Sequence, residues 1–381
     1  MISKALCFLF VAGSLQAVEP LVYEGEEGIG KGKHIVFLAN DHEYRSEQSC
    51  PLMAKILAKH HGFRCTVLFG LNEEGEIQPG AKSVPGLEAL EDADLLFFFA
   101  RFMNLPDQQV DLLANYFERG GPAVALRTST HCFNGQEGKW SKFNYNYNGE
   151  DYPGGLGKQV FGNTWKKETG QGHYGGNHSQ GSRITATEDE KGHIVLSGVG
   201  EIHAYSGAYE SPVPENATSF LNVQVLETFE PSDQINEKKP LKTAGWGLES
   251  YTAPSGEKKD SRTVYVSFGA SEDLLDEDAR RFLTNASLWA MKMDEQITPT
   301  LEVGIVGKYN PSPYSTGSLF FEGVKPADLA TWEGAIMPEG NKLAGISNED
   351  PKKSKRIERV FRNRKEMAKK FFPSSAEPKG K

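Results

Sequence analysis

Cysteine is scarce in this chain of 381 residues: four occur, and only Cys50, Cys65 and Cys132 follow the first apolar stretch. Three thiols cannot all pair, so in an oxidising compartment at least one stays free. Cys50 and Cys65 begin a predicted helix and the strand after it, which leaves two readings, a disulfide or two small buried hydrophobes. Basic residues are also in deficit, 42 Lys and Arg against 51 Asp and Glu, a net charge of −9. That balance excludes a general nucleic-acid binder, which needs excess cations to displace phosphate counterions. Long apolar runs are missing as well. Ala5 to Val11 is too short for a permanent anchor and no later stretch approaches the necessary length, so no integral membrane span is expected. Lys4, that run and the small residues around Gln16-Ala17 instead predict a secretory signal spanning residues 1–17, hence a periplasmic or secreted protein. Cys7 lies inside the run without a lipobox context.

What is present is enough apolar material, 38% of residues, for a large core in one large or two modest domains. The organising stretch is Pro122 to Phe133, PAVALRTSTHCF. An apolar run that stops abruptly at Arg-Thr-Ser-Thr-His-Cys predicts a buried parallel strand entering a polar loop, and ligands of open α/β sheets bind at such carboxyl ends. His34 to Leu38 and Leu95 to Ala100 are two more such runs, ending near Asp41 to Ser46 and at Arg101. Ser46 with Glu47 is read as the cap of a helix reaching to Gly62, Cys65 to Phe69 as a strand, and Pro106-Asp107 as the start of a helix through Arg119. Gly70 to Gly86 reads as an exposed crossover. Strand and helix alternate with right-handed crossovers, which predicts a doubly wound, mostly parallel α/β sheet with helices on both faces.

From about Gly135 to Arg183 aliphatic residues almost vanish and Gly, Asn, Tyr, Trp and His dominate, predicting a long irregular insertion over the strand carboxyl edge. Strand signals resume at His193 to Leu196, Asn222 to Leu226, Thr243 to Trp246 and Thr263 to Phe268, followed by a helix from Glu272 to Met293. Residues 294–347 form a Pro- and Gly-rich extension and residues 348–381 a charged tail; its segment Lys352 to Phe372 reads as a solvated, partly ordered tail or as a binder of anionic surfaces. Asn216-Ala-Thr and Asn285-Ala-Ser match the glycosylation sequon.

The motifs ANDHEYRSEQ, RFMNLPDQQ, ALRTSTHCFN, GLGKQVFGNTW and SFGASEDLLDEDARRFLTNASLWAM, in this order, resemble the trehalose-utilisation (ThuA-like) family over about residues 33–293. Val303 to Ala330 resembles the tail of its secreted members. The resemblance implies a flavodoxin-like core related to class I glutamine amidotransferases and a role with carbohydrates or oxidised sugars. The chain departs from the amidotransferase pattern where those enzymes hold a nucleophilic Cys after the central strand, a position occupied here by Arg127. Their late His-x-Glu pair is also replaced, by Glu201-Ile-His203 in reverse order. Glutaminase chemistry is therefore not implied. The His-rich segment that often follows the family's Trp is absent too, since Trp165 precedes Lys166-Lys167-Glu168.

His42, His131, His173 and His178 form a candidate set of ligands for a divalent transition metal such as zinc, or else hydrogen-bonding and sugar-contacting residues. No nucleotide cofactor is expected. Glu43, Arg127 and His131 are the candidate catalytic residues, with Glu43 a base if an apolar wall raises its pKa. Asp41, Arg45, Arg101, Thr128, Ser129 and Thr130 are candidate substrate contacts, although ion pairing and helix capping explain several of them equally. Trp165 and Tyr174, with Trp140, Tyr145 and Tyr147, fit sugar stacking, packing within the insertion, or contact with a second subunit in a homo-oligomer. Three functions follow. A metal-assisted hydrolase or isomerase of a sugar or keto-sugar comes first, then a non-catalytic sugar-binding protein, then an amidase dependent on Cys132.

Overall fold

The computed structural model describes residues 19–165, 171–174, 180–231, 233–314, 319–337, 341 and 343–345. Its strands are β1 (Leu21–Glu24), β2 (His34–Asn40), β3 (Arg64–Phe69), β4 (Leu95–Ala100), β5 (Ala123–Leu126), β6 (Gly172–Tyr174), β7 (Ser182–Ala186), β8 (Ile202–Ala204), β9 (Ala208–Glu210), β10 (Ala217–Val225), β11 (Lys242–Leu248), β12 (Tyr251–Thr252), β13 (Lys258–Lys259), β14 (Thr263–Val266), β15 (Leu319–Phe321) and β16 (Leu343–Gly345). Every residue of β2, β4, β5 and β14 is buried, as expected of strands covered on both faces. They pair in parallel with β3 in the order β3-β2-β4-β5-β14. Counting those five along the chain gives 2-1-3-4-5, the flavodoxin-like order.

Five antiparallel strands complete a ten-stranded mixed sheet around this parallel core. β1 flanks β3, and β11, β10, β7 and β8 extend the sheet beyond β14. The pattern of β10 fits this: Leu221, Val223 and Val225 are buried while Asn222 and Gln224 are partly exposed, the alternation of a strand with one wet face. His193 to Leu196 is not a strand; Ile194–Leu196 is a 3₁₀ turn, with His193 Nδ1 accepting from Val195 N.

Helix α1 (Ser46–His61) ends at Gly62 in the left-handed region, φ 79°. Its N-cap position holds Arg45 without a side-chain cap, while Ser46 Oγ donates to Asp41 O and accepts from Asp41 N. The expected Ser46 cap is therefore a tie to the preceding loop. Helix α2 (Asp107–Glu118) matches its prediction to within a residue. The insertion is less irregular than expected, because helix α3 (Gly155–Phe161) buries Leu156, Val160 and Phe161 in the core. The helix expected from Glu272 to Met293 is split. A 3₁₀ turn at Ser271–Leu275 precedes α4 (Glu277–Ala290), where Asp276 accepts from Ala279 N as N-cap. The Gly70 to Gly86 crossover is partly buried through Leu71, Ile77 and Val84.

The C-terminal extension is integral to the core up to residue 337. It covers α1 and β1: in α1 His61 Nε2 donates to Glu302 O and Lys55 Nζ to Trp332 O and Gly334 O, and in β1 Tyr23 OH donates to Leu329 O. This cover explains why both faces of α1 are buried and why its sequence lacks a clean amphipathic stripe. Cys50, Cys65 and Cys132 are free and buried, so the disulfide reading is corrected to separate thiols. Asn285 is buried and donates to Val195 O and Ser197 O, whereas Asn216 is exposed. Among the described residues no helix is long and apolar enough to cross a membrane. Residues 1–17, His178 and the segment Lys352 to Phe372 lie outside the described residues.

Candidate active site

Four non-glycine residues among those described have positive φ, and three stand just past the carboxyl ends of neighbouring parallel strands: Arg45 (φ 66°) after β2, Phe102 (φ 50°) after β4 and Arg127 (φ 43°) after β5. Such backbone costs free energy and gathers where loops are held for function. The three loops meet at the edge that the sequence picked out.

Asp41 joins two of them. Its Oδ1 accepts from the backbone N–H groups of Glu43 and Tyr44, and its Oδ2 accepts from Thr128 Oγ1 at 2.6 Å. With both oxygens engaged and the residue fully buried, Asp41 builds the loop. Ser129 Oγ donates to Phe98 O and Leu126 O at 2.8 Å each, and Arg45 Nε donates to Pro313 O in the C-terminal extension. Asp41, Arg45, Thr128 and Ser129 are thus turned into the protein.

Arg127 takes the same direction. Its Nη1 donates to Ser206 Oγ (2.8 Å), Gly207 O (3.0 Å) and Ser267 O (2.6 Å), and its guanidinium lies 3.9 Å over the Tyr44 ring and 4.6 Å over Tyr209. It occupies the sharp turn after β5, and its side chain is fully buried and clamps the 206–207 turn to the end of β14.

The side chains not tied into the framework form a smaller set, in which His42, Arg101, Phe102 and Trp165 are partly exposed and Glu43 and His131 are buried. Glu43 Oε2 lies 3.0 Å from Arg101 Nε, Arg101 Nη1 donates to His42 Nε2, and the Arg101 guanidinium lies 4.2 Å over Phe102. Phe102 packs 5.3 Å from the His131 ring, and His131 lies 5.0 Å from Trp165, which is 5.0 Å from His173. Tyr145 closes the wall at 5.4 Å from Phe102. The order is therefore carboxylate, guanidinium, ring, imidazole, ring. Burial raises the Glu43 carboxyl above its ordinary range, with Arg101 opposing and Asp41 adding. Burial also depresses His131 well below the ordinary imidazole range, reinforced by Arg101, His173 and His42. His42 is lowered by burial, with Asp41 opposing and Arg101 assisting. Near neutral pH His131 is thus an uncharged imidazole beside a carboxyl that binds its proton more tightly than usual.

Tyr174 is not brought into this wall. Neighbouring side chains of a strand point to opposite faces, so while His173 meets Trp165 and Tyr209, the Tyr174 hydroxyl donates to Pro240 O. Phe102 and Tyr209 were not singled out by the sequence. The strained Phe102 follows Arg101 directly, and its place after a buried strand was the available signal. Cys132 is buried within the core, and burial pushes its thiol well above the usual range, away from thiolate chemistry. Among the described residues no three His, Cys, Asp or Glu side chains are grouped to hold a metal ion. His42 Nε2 accepts from Arg101, and His131 Nδ1 lies 3.2 Å from Thr130 Oγ1, so both rings have other partners. A cavity of about 1400 Å³ opens along residues 71–89, beside Glu19, Pro20 and Gln109. It includes none of the candidate residues, touching the crevice only where Gly80 backs onto His42, so the chemistry and not the volume locates the site.

No protein-family model matches the chain, and no curated protein matches it. Among solved structures it is similar to a ThuA-like protein from Parabacteroides merdae, at 14% identity and TM-score 0.37 over 76% of this chain and 96% of that one. It is also similar to the glutaminase domain of Trypanosoma brucei CTPS with bound acivicin, at 13% identity and TM-score 0.31 over 72% of this chain and 97% of that one. At these TM-scores neither likeness decides a function, and the flavodoxin-like assignment stands on the strand order. The first of these neighbours carries the family description that the sequence motifs resemble, and the second is a glutaminase domain.

Proposed function

We propose that this chain is a secreted ThuA-like enzyme of carbohydrate metabolism that moves a proton next to the carbonyl of a sugar or keto-sugar. The observation that carries the reading is the geometry that sets Glu43 3.0 Å from Arg101, whose guanidinium stacks on Phe102, and packs Phe102 against His131; burial raises the Glu43 carboxyl and lowers the His131 imidazole. A carboxyl with a raised pKa suits a general base working near neutral pH. A neutral imidazole suits the polarisation of a carbonyl, the division of labour known from aldose–ketose isomerisation. In the proposed step Glu43 takes the proton from the carbon beside the carbonyl, and the C–H electron pair forms the enediol double bond. The carbonyl pair moves to oxygen, where His131 stabilises the developing charge. Protonation of that oxygen, loss of the proton from the neighbouring hydroxyl oxygen as its new carbonyl forms, and return of the carbon-bound proton from Glu43 to the former carbonyl carbon complete an isomerisation. Phe102, Tyr145 and Trp165 supply faces for a sugar ring. Arg101 is already paired with Glu43, which favours an uncharged substrate over a sugar acid.

The test is incubation with aldoses, ketoses and keto-sugars in D2O, followed by proton NMR. Deuterium should enter the carbon beside the carbonyl with wild-type protein, and incorporation should vanish in Glu43→Gln and fall in His131→Gln. Saturable sugar binding without exchange would sink the enzymatic reading in favour of a sugar-binding protein whose ring faces are these aromatic residues.

A further inference from the structure

We infer that Thr130 is a positioning residue that fixes the His131 ring with its Nε2–H towards the crevice. The inference rests on the acid–base reading of the same site. Thr130 is fully buried and has no route to a ligand. Its Oγ1 lies 3.2 Å from His131 Nδ1 and 3.5 Å from Arg127 O. His131 Nδ1, Arg127 O and the Tyr265 hydroxyl oxygen compete for one hydroxyl proton, and the neighbouring groups decide between them. Arg127 O already accepts from Tyr265 OH at 2.9 Å, and Tyr265 Oη in turn accepts from Gln171 Nε2 at 3.1 Å. Arg127 O and the Tyr265 oxygen each already have a donor, whereas His131 Nδ1 has no other, so the Thr130 hydroxyl donates along the shorter contact, to His131 Nδ1.

A neutral imidazole that accepts at Nδ1 carries its proton on Nε2. No hydrogen bond among the described residues engages Nε2, and this nitrogen belongs to the ring lying between Phe102 and Trp165. The chain Gln171–Tyr265–Arg127 O–Thr130–His131 thus runs from the insertion, through β14 and the β5 turn, to the donor that meets the carbonyl oxygen. A partner on the second ring nitrogen is how proteins set the tautomer of a working histidine. The same device explains why a residue with the sequence signature of a substrate-binding hydroxyl points inward.

The experiment is nitrogen-15 NMR of histidine-labelled protein, with His131 assigned by its loss in His131→Gln. Wild type should show Nε2 protonated and Nδ1 as a hydrogen-bonded acceptor. Thr130→Val should move the Nδ1 resonance to that of a free acceptor, and Thr130→Ser should restore it. Tyr265→Phe keeps Thr130 but frees Arg127 O to draw its hydroxyl away, so it should shift Nδ1 in the same direction. This second variant decides the matter where Thr130→Val fails to fold. In deuterium exchange, Thr130→Val should lower kcat about fivefold to tenfold, the worth of one hydrogen bond, with KM unchanged. Protonated Nδ1 in wild type, or His131 resonances unmoved in both variants, overturns the inference, as does an unchanged kcat. The nitrogen spectra need no substrate, so absence of exchange in wild type would sink the proposed reaction while the spectra still decide the positioning.

Discussion

Arg127 separates a residue of the framework from a residue of the chemistry, and Arg127→Met tests which it is. Methionine keeps much of the volume but removes the fork that reaches Ser206 Oγ, Gly207 O and Ser267 O. Two of those acceptors are buried carbonyls, and each left unsatisfied costs roughly 1–3 kcal/mol. The guanidinium stacked over Tyr44 and Tyr209 is desolvated, a setting in which the ring contact is worth about 2 kcal/mol. Added together these exceed the net effect, because removing a buried charge also recovers several kcal/mol of desolvation. A loss of about 4 kcal/mol is expected, in line with the 3–5 kcal/mol typical of deleting one member of a buried charged network. At roughly 2 °C per kcal/mol for a large domain, Tm should fall by about 8 °C. Chemical denaturation with the m-value held in view, alongside thermal melting, gives the number. A Met variant within about 1 kcal/mol of wild type that nevertheless lost sugar binding would refute the framework role and return Arg127 to the ligand.

The other predictions concern the titrating pair, the thiols and the C-terminal cover. Because burial raises the folded pKa of Glu43, its contribution is fully present below the ordinary carboxyl pKa and is lost as pH rises through the folded value. Glu43→Gln should therefore gain stability relative to wild type as pH rises through that window, and a constant difference from pH 4 to 8 would refute the shift. His131 has the opposite sign: its folded pKa is depressed, so stability should fall as pH drops below about 6.5, and His131→Gln should flatten that slope in urea titrations. Cys50, Cys65 and Cys132 should resist iodoacetamide in the native protein and label on denaturation; rapid native labelling of Cys132 would reopen the thiol-dependent amidase. Tyr23→Phe removes the hydroxyl that holds Leu329 O and should cost about 1 kcal/mol in stability while leaving deuterium exchange unchanged.

The parallel half of the sheet was legible because strands buried on both faces write continuous apolar runs, and His34–Leu38, Leu95–Ala100 and Pro122–Leu126 are such runs. Of the antiparallel strands, β10 and β11 were legible in part, as Asn222–Leu226 and Thr243–Trp246, but β1, β7 and β8 were not. β7 mixes polar with apolar residues, and its register depends on a partner distant in the chain, with Val225 opposite Ser182 and Leu221 opposite Ala186. The role of residues 294–337 was hidden for a different reason. They bind α1 chiefly through their own backbone carbonyls, at Glu302, Trp332 and Gly334, and backbone acceptors leave no mark in a sequence of Pro and Gly.

The sequence named the loops that meet at the strand carboxyl edge but did not sort their side chains, and the cause is geometric. A polar residue after a buried strand either faces the ligand or ties one loop to another, and both uses select Asp, Arg, Thr and Ser. The left-handed residue after β5 decides which use applies, because a strained turn reverses the direction of the chain. With Arg127 in that conformation, its side chain and those of Thr128 and Ser129 are all directed into the protein, and the ring of His131 meets Phe102 and Trp165. A run of five buried polar residues thus yields one ring set against the aromatic wall and four supports. Replacing Arg127 with Gly would permit the same turn without the clamp, so loss of the crevice in that variant would have to come from the side chain and not from the backbone.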